Sequence, residues 1–159
     1  DLLGTERGGN GVVIDDQART SDPDIVAAGD CASHSMARYS RPLRLESVPS
    51  AHEQAKVAAA TVCGKSKKIA ALPWFWSDQY DCKLQIAGLN TGYDRIVTRG
   101  PEGEAVSFWY FRGDQLLAVD AMNDSRAYMV GKRLIEQGRS VAPEVLADPA
   151  TNLKALLKG

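Results

Sequence analysis

Between residues 84 and 138 the chain passes through four short strand signals and then a capped helix, and this succession limits the fold more than any other feature. The segments 84–87, 95–98, 106–111 and 116–120 read as strands, and Arg112-Gly113-Asp114 joins the last two as a tight hairpin. Asn123 or Asp124 caps a helix that carries Tyr128, Met129, Leu134 and Ile135 and stops at Gly138. Short helices are expected over 143–146 and 153–157. Strands followed by helices predict an α+β unit built on an antiparallel sheet.

A basic, polar break at Gly64-Lys65-Ser66-Lys67-Lys68 divides this region, 65–159, from an unlike one, 1–64. There the turn Gly8-Gly9-Asn10 leads into a strand over 11–15. A second strand over 25–28 follows Ser21-Asp22-Pro23-Asp24 and ends at Gly29-Asp30. After a polar, Arg-rich loop, Ser47 caps a helix with Pro49 in its first turn, where a missing N–H costs nothing. Val48, Ala51, Ala55, Ala58, Ala59 and Val62 give it an apolar face, and Gly64 ends it. Two short strands and one helix are too little to enclose a core. Region 1–64 therefore reads as the last part of a larger domain, and the opening Asp1-Leu2-Leu3-Gly4, without Met or a signal-peptide pattern, fits a piece of a longer chain.

Charge and cysteines narrow the function. A net charge of −1 gives no global field for nucleic acid or an acidic membrane. No apolar run approaches the roughly 20 residues of a membrane helix. Cys31, Cys63 and Cys82 are dispersed, without C-x-x-C or Cys/His spacing, which argues against a disulfide framework, a dithiol centre, a zinc site or an iron–sulfur cluster in this chain. They are expected as small apolar fillers in a reducing, cytoplasmic compartment. His34 and His52 lack ligand or triad spacing; His34 is expected in a loop and His52 early in the helix.

Three ordered blocks carry a resemblance. The run Ile25-Val26-Ala27-Ala28-Gly29-Asp30 is similar to the second FAD-binding motif of the two-dinucleotide-domain flavoprotein reductases. Arg44-Leu45-Glu46-Ser47-Val48-Pro49 resembles the segment after it, and Pro73-Trp74-Phe75-Trp76-Ser77-Asp78-Gln79-Tyr80 resembles the opening of the C-terminal domain in ferredoxin reductases of the putidaredoxin, rhodocoxin and biphenyl-dioxygenase types. The resemblance implies a C-terminal domain of antiparallel sheet and helices over 65–159, preceded by the last strands and helix of an α/β FAD-binding domain. It covers nearly the whole chain. The two Gly-x-Gly-x-x-Gly fingerprints that hold FAD and NAD(P)H pyrophosphates are absent, since Gly8-Gly9-Asn10-Gly11 precedes a strand instead of following one.

By that resemblance, Gly29 lets the backbone approach FAD and Asp30 meets the ribityl hydroxyls. The helix start at Glu46, Ser47 and Val48 points at the pyrimidine edge of the flavin, where N–H groups and the helix dipole stabilise negative charge. Trp76 is the candidate for packing on the ring, while Trp74 is expected in the core. Lys56, two turns into the helix, is the candidate for docking an acidic two-iron two-sulfur ferredoxin, an exposed helix lysine being the plain alternative. No side chain is needed as an acid–base catalyst. A chain with only this wall is expected to be inactive alone, to lack the N-terminal FAD and NAD domains, and to form a homodimer or swapped oligomer. A second reading stays open: residues 65–159 as a stand-alone binding or assembly module using Phe108, Trp109, Tyr110 and Phe111.

Overall fold

The computed structural model describes residues 7–8, 11–101 and 104–158. Gly9 and Asn10 of the expected Gly8-Gly9-Asn10 turn lie outside them. The chain forms two compact units, Asp1–Ala71 and Leu72–Gly159. The segment after Gly64 therefore closes the first unit. Its Ile69 packs on that unit's core, and the Ile69 N–H donates to the Asp16 carbonyl (2.7 Å).

In the first unit four strands run in the order β1 (Arg7–Gly8), β2 (Gly11–Ile14), β3 (Ala32–Met36) and β4 (Arg41–Leu43), with β2 and β3 parallel and the outer pairs antiparallel. The expected strand over 25–28 is reduced to a single bridge, Val26 opposite Arg19. Its backbone is spent locally: Thr20 N–H bonds to the Ile25 carbonyl and Ala27 N–H to the Ala18 carbonyl, around the Asp22-Pro23 turn. β2 falls where a strand is expected, whereas β3 and β4 fall in what reads as loop. Ser33 and His34 are polar, yet both are buried within β3. Parallel pairing with β2 satisfies their backbone, which polarity alone does not reveal.

Helix α1 (Val48–Val62) starts and stops as its sequence requires. Ser47 is extended at φ −152° and its hydroxyl accepts from Ser50 N–H, while Gly64 sits at φ +67° beyond the last turn. The buried face differs from expectation. Gln54, Val57 and Ala58 are buried, the last two in a core with Ile14, Ala18 and Ala32, whereas Val48, Ala55, Ala59 and Val62 face outward. Thr61 completes the inner face by donating to the Gln17 carbonyl at 2.6 Å.

The second unit is a five-stranded antiparallel sheet in the order β5 (Trp74–Gln79), β6 (Cys82–Gly88), β9 (Gln115–Met122), β8 (Val106–Arg112) and β7 (Arg95–Arg99). Alternation along β8 and β9 puts Trp109, Phe111, Val119 and Ala121 into a core closed by Leu134, Ile135 and Leu146. The run Phe108 to Phe111 is thus divided by the pleat, with Trp109 and Phe111 fully buried. Asp124 caps α2 (Ser125–Glu136) by accepting from Ala127 N–H, and Gly138 follows at φ +66°. A one-turn helix α3 (Pro143–Ala147) and a 3-10 helix (Leu153–Leu157) end the unit. Arg99 on β7 ties them down: its guanidinium donates to the carbonyls of Leu146, Asp148, Pro149 and Thr151.

Candidate functional site

In the first unit the two expected flavin-facing segments meet through hydrogen bonds. Gly29 adopts φ +85°, a conformation that favours glycine, and its N–H donates to Gln54 Oε1 at 2.7 Å. Gln54, fully buried on α1, donates in turn to Ser50 Oγ at 3.1 Å, and Ser50 N–H donates to Ser47 Oγ at 3.3 Å. A continuous polar line therefore runs from the Gly29-Asp30 turn to the cap of α1. Ala51 lies against Gly29 closely enough that a β-carbon there would touch it at 3.7 Å.

Arg44 makes the second link. One nitrogen donates to the Asp30 carbonyl at 2.8 Å and the other forms an ion pair with Glu46. Fixing the Asp30 backbone in this way leaves its side chain exposed, with acceptor oxygens available to hydroxyl groups. At the helix start, Pro49 has no N–H, Ser50 N–H goes to Ser47 Oγ and Ala51 N–H to the Ser47 carbonyl. Among the described residues no bond is made to Val48 N–H, and α1 has no acidic residue in its first turn to offset its dipole.

The structure thus brings together Gly29, Asp30, Glu46, Ser47 and Val48. Hydroxyl acceptors on one side and an open N–H at a helix N-terminus on the other fit the ribityl chain and pyrimidine edge of FAD. Lys56 is exposed further along α1. Trp76 belongs to the second unit, on β5, where it is 38% exposed and stacks on Trp74 (ring centroids 5.4 Å apart, planes 26° apart). Trp74 is half-buried and packs against the core, as expected.

Two residues central to this arrangement, Gln54 and Arg44, escape the sequence reading as site residues. Gln54 stands among alanines, and nothing local marks it as the partner of a glycine 25 positions away. Other expectations are corrected. His34 is a buried strand residue whose ring nitrogens have no hydrogen-bond partner among the described residues, and burial lowers its pKa. It lines a small cavity of about 170 Å³ with Asp15 and Asp16. Cys31 and Cys63 are exposed thiols and Cys82 is half-buried, so none is a core filler; Cys31 Sγ instead donates to the Ala28 carbonyl. A larger cavity of about 640 Å³, lined by Arg99, Asp124 and Thr151, lies in the second unit, and its Arg99 is already committed to four carbonyls. Among the described residues no helix is long and apolar enough to cross a membrane.

Comparison with known proteins adds to the geometry. The chain is 44% identical to putidaredoxin reductase of Pseudomonas putida over 149 residues, which cover 93% of this chain and 35% of that protein. It is 40% identical to rhodocoxin reductase of Rhodococcus erythropolis over 146 residues, 91% of this chain and 34% of the relative. The chain therefore spans about a third of the length of these curated relatives. Among solved structures, the covalent putidaredoxin reductase–putidaredoxin complex matches with a TM-score of 0.91 and 42% identity, over 99% of this chain and 38% of that one. A ferredoxin reductase for the CYP199A2 system from Rhodopseudomonas palustris matches with a TM-score of 0.91 and 36% identity, over 98% and 39%. A family model described as reductase C-terminal matches residues 74–157, and the chain belongs to that family.

Proposed function

We propose that this chain is the C-terminal part of an FAD-dependent NAD(P)H:ferredoxin reductase serving an oxygenase system, and that its first unit supplies one wall of the flavin site. The observation that carries the reading is the hydrogen-bonded union of the Gly29-Asp30 turn with the start of α1, joined by Gln54 and Arg44, with no bond to the Val48 N–H among the described residues. The names of the similar proteins, reductases of putidaredoxin and rhodocoxin, support it.

In the complete protein Asp30 accepts hydrogen bonds from ribityl hydroxyls, and Gly29 keeps the backbone low enough for the chain to pass. The Val48 N–H, at the positive end of α1, faces the pyrimidine edge, with Glu46 neutralised by Arg44. Trp76 offers its open ring face. When bound, FAD supplies the redox chemistry, accepting hydride from a nicotinamide and releasing electrons singly to a two-iron two-sulfur ferredoxin. NAD(P)H and the pyrophosphate of FAD are held by N-terminal domains outside this chain. Lys56, exposed on α1, meets an acidic ferredoxin, where its charge acts on the rate of encounter. The free thiols suit the cytoplasm.

The test is the visible spectrum. This chain alone is expected to be colourless and inactive, and to pair or swap between copies through the faces of its first unit. Joined to an upstream sequence of about 250 residues carrying two glycine-rich fingerprints, it is expected to be yellow with stoichiometric flavin. A stoichiometric flavin spectrum from the chain alone, or a colourless complete protein, would refute the proposal.

A further inference from the structure

Trp76 sits on β5, an edge strand with a single neighbour, and an exposed edge side chain has little to hold its plane. The stack on Trp74 is its closest ring contact, Phe75 being tilted at 37° and 6.5 Å away. Trp74 is itself held from α2. Tyr128 lies 6.4 Å from its ring, and the Lys132 ammonium stands over the indole, 5.0 Å from the ring centroid. Tyr128, Lys132 and Glu136 follow at intervals of four on one face of α2. Glu136 is 4.0 Å from the Lys132 nitrogen, and the same nitrogen is 6.0 Å from the Tyr128 ring. The ammonium is thus bounded by a carboxylate and two aromatic rings, one of them the rear support of Trp76. A cation is attracted to the indole face by the ring quadrupole, so the ammonium favours one plane of a Trp74 ring that also rests on the core.

We propose that Lys132 is a positioning residue that acts through Trp74 to fix the plane of Trp76. The order of contact is Glu136, Lys132, Trp74, Trp76, with Tyr128 at the side. The inference deepens the flavin reading of Trp76 and rests on it only for the consequence at the flavin. A helix remote in sequence then decides which face Trp76 presents, and removing one charge on α2 loosens a ring on β5 without removing any group that touches the flavin.

The test uses the excitonic circular dichroism of the Trp74–Trp76 pair in this chain, with Trp76→Phe giving the signal without the pair. In Lys132→Met, which keeps the aliphatic stem, the ratio of stacked to unstacked pairs is expected to fall about fivefold, the loss expected for a cation–π contact at a partly exposed site. Lys132→Arg is expected to retain the couplet. An unchanged couplet in Lys132→Met, or equal loss in Lys132→Arg, overturns the proposal. If Lys132→Met fails to fold, Lys132→Gln is measured instead, and failure of both also counts against it, because a positioning residue is dispensable for the fold. In the complete reductase the flavin absorption band is expected to move in Lys132→Met in the same direction as in Trp76→Phe. A changed couplet with an unchanged flavin band in both variants would leave Lys132 positioning Trp76 and refute the placement of Trp76 at the flavin.

Discussion

Gly131, in the middle of α2, gives the sharpest test of how the second unit is packed. In an open helix, replacing glycine by alanine stabilises by about 1 kcal/mol, because alanine has less backbone freedom to lose. Here the added β-carbon would stand 2.5 Å from Val119 Cγ1 and 3.1 Å from the Trp109 ring. Both neighbours are fully buried, and Val119, branched at its β-carbon, has no easy rotamer in which to retreat. Overpacking of this kind costs about 1–3 kcal/mol, and at 2.5 Å the upper part of that range applies. The difference leaves Gly131→Ala destabilised by about 1–2 kcal/mol. Urea unfolding followed by tryptophan emission reads this as a midpoint lowered by roughly 1–2 M, for a slope near the lower end for small domains. Val119→Ala makes room, so Gly131→Ala/Val119→Ala is expected to be more stable than the sum of the single effects by roughly 1 kcal/mol. A Gly131→Ala chain that unfolds at higher urea would refute the close approach of α2 to β9.

Further outcomes follow from the same geometry. Gln54→Met keeps the volume but leaves the buried Gly29 N–H without an acceptor, a cost of about 1–3 kcal/mol, and exchange at the Gly29 amide is expected to accelerate by at least about fivefold; unchanged exchange would remove Gln54 from the site. Arg99→Met removes the donors to four carbonyls, so amide protection over 153–157 is expected to fall while β8 and β9 keep theirs, and uniform protection would count against the tether. His34 is buried and its pKa lowered by desolvation, so the unfolded chain binds the proton more readily. Its contribution to stability is complete above about pH 6.5 and declines as the pH falls below that value. His34→Phe is expected to abolish this step, and a step of unchanged size would assign it elsewhere. Tyr110, which donates to Asp120 at 2.8 Å, is pushed up to about 12, first by burial and then by that carboxylate. Stability is therefore expected to decline as the pH rises from about 10 toward 12, a decline that Tyr110→Phe removes.

What sequence discloses here is local. The cap at Ser47, the glycine past α1, the cap at Asp124 and the hairpin at Gly113 each need only a few neighbouring residues, and each stands where its residues place it. Four of the five strands of the second unit are legible from their short apolar runs and turns, whereas β5, which carries Trp74 and Trp76, does not read as a strand. The candidate wall is legible as two segments, Gly29-Asp30 and Glu46-Ser47-Val48, but not as a joined structure. Arg44 reaches back 14 residues and Gln54 reaches 25, and pairing at that range leaves no periodic trace. The direction of α1 is misread for a related cause. Alanines at every third or fourth position suggest a buried face, yet a buried glutamine satisfied at both ends takes the inner position. In β3, Ser33 and His34 conceal a buried strand, since only pairing with β2 explains their burial.

The central claim is that Asp30 and the start of α1 form a wall of an FAD site, and flavin retention by the complete reductase tests it most directly. The fraction of FAD kept after gel filtration should be near one for the parent protein. The dissociation constant for FAD should rise at least about tenfold in Asp30→Ala, which removes charge-assisted hydrogen bonds worth roughly 1.5–3 kcal/mol, and at protein concentrations near that constant the retained fraction falls with it. Lys56→Ala, on the same helix but away from the wall, should keep its flavin. Full retention in Asp30→Ala, or equal loss in Lys56→Ala, would contradict the account.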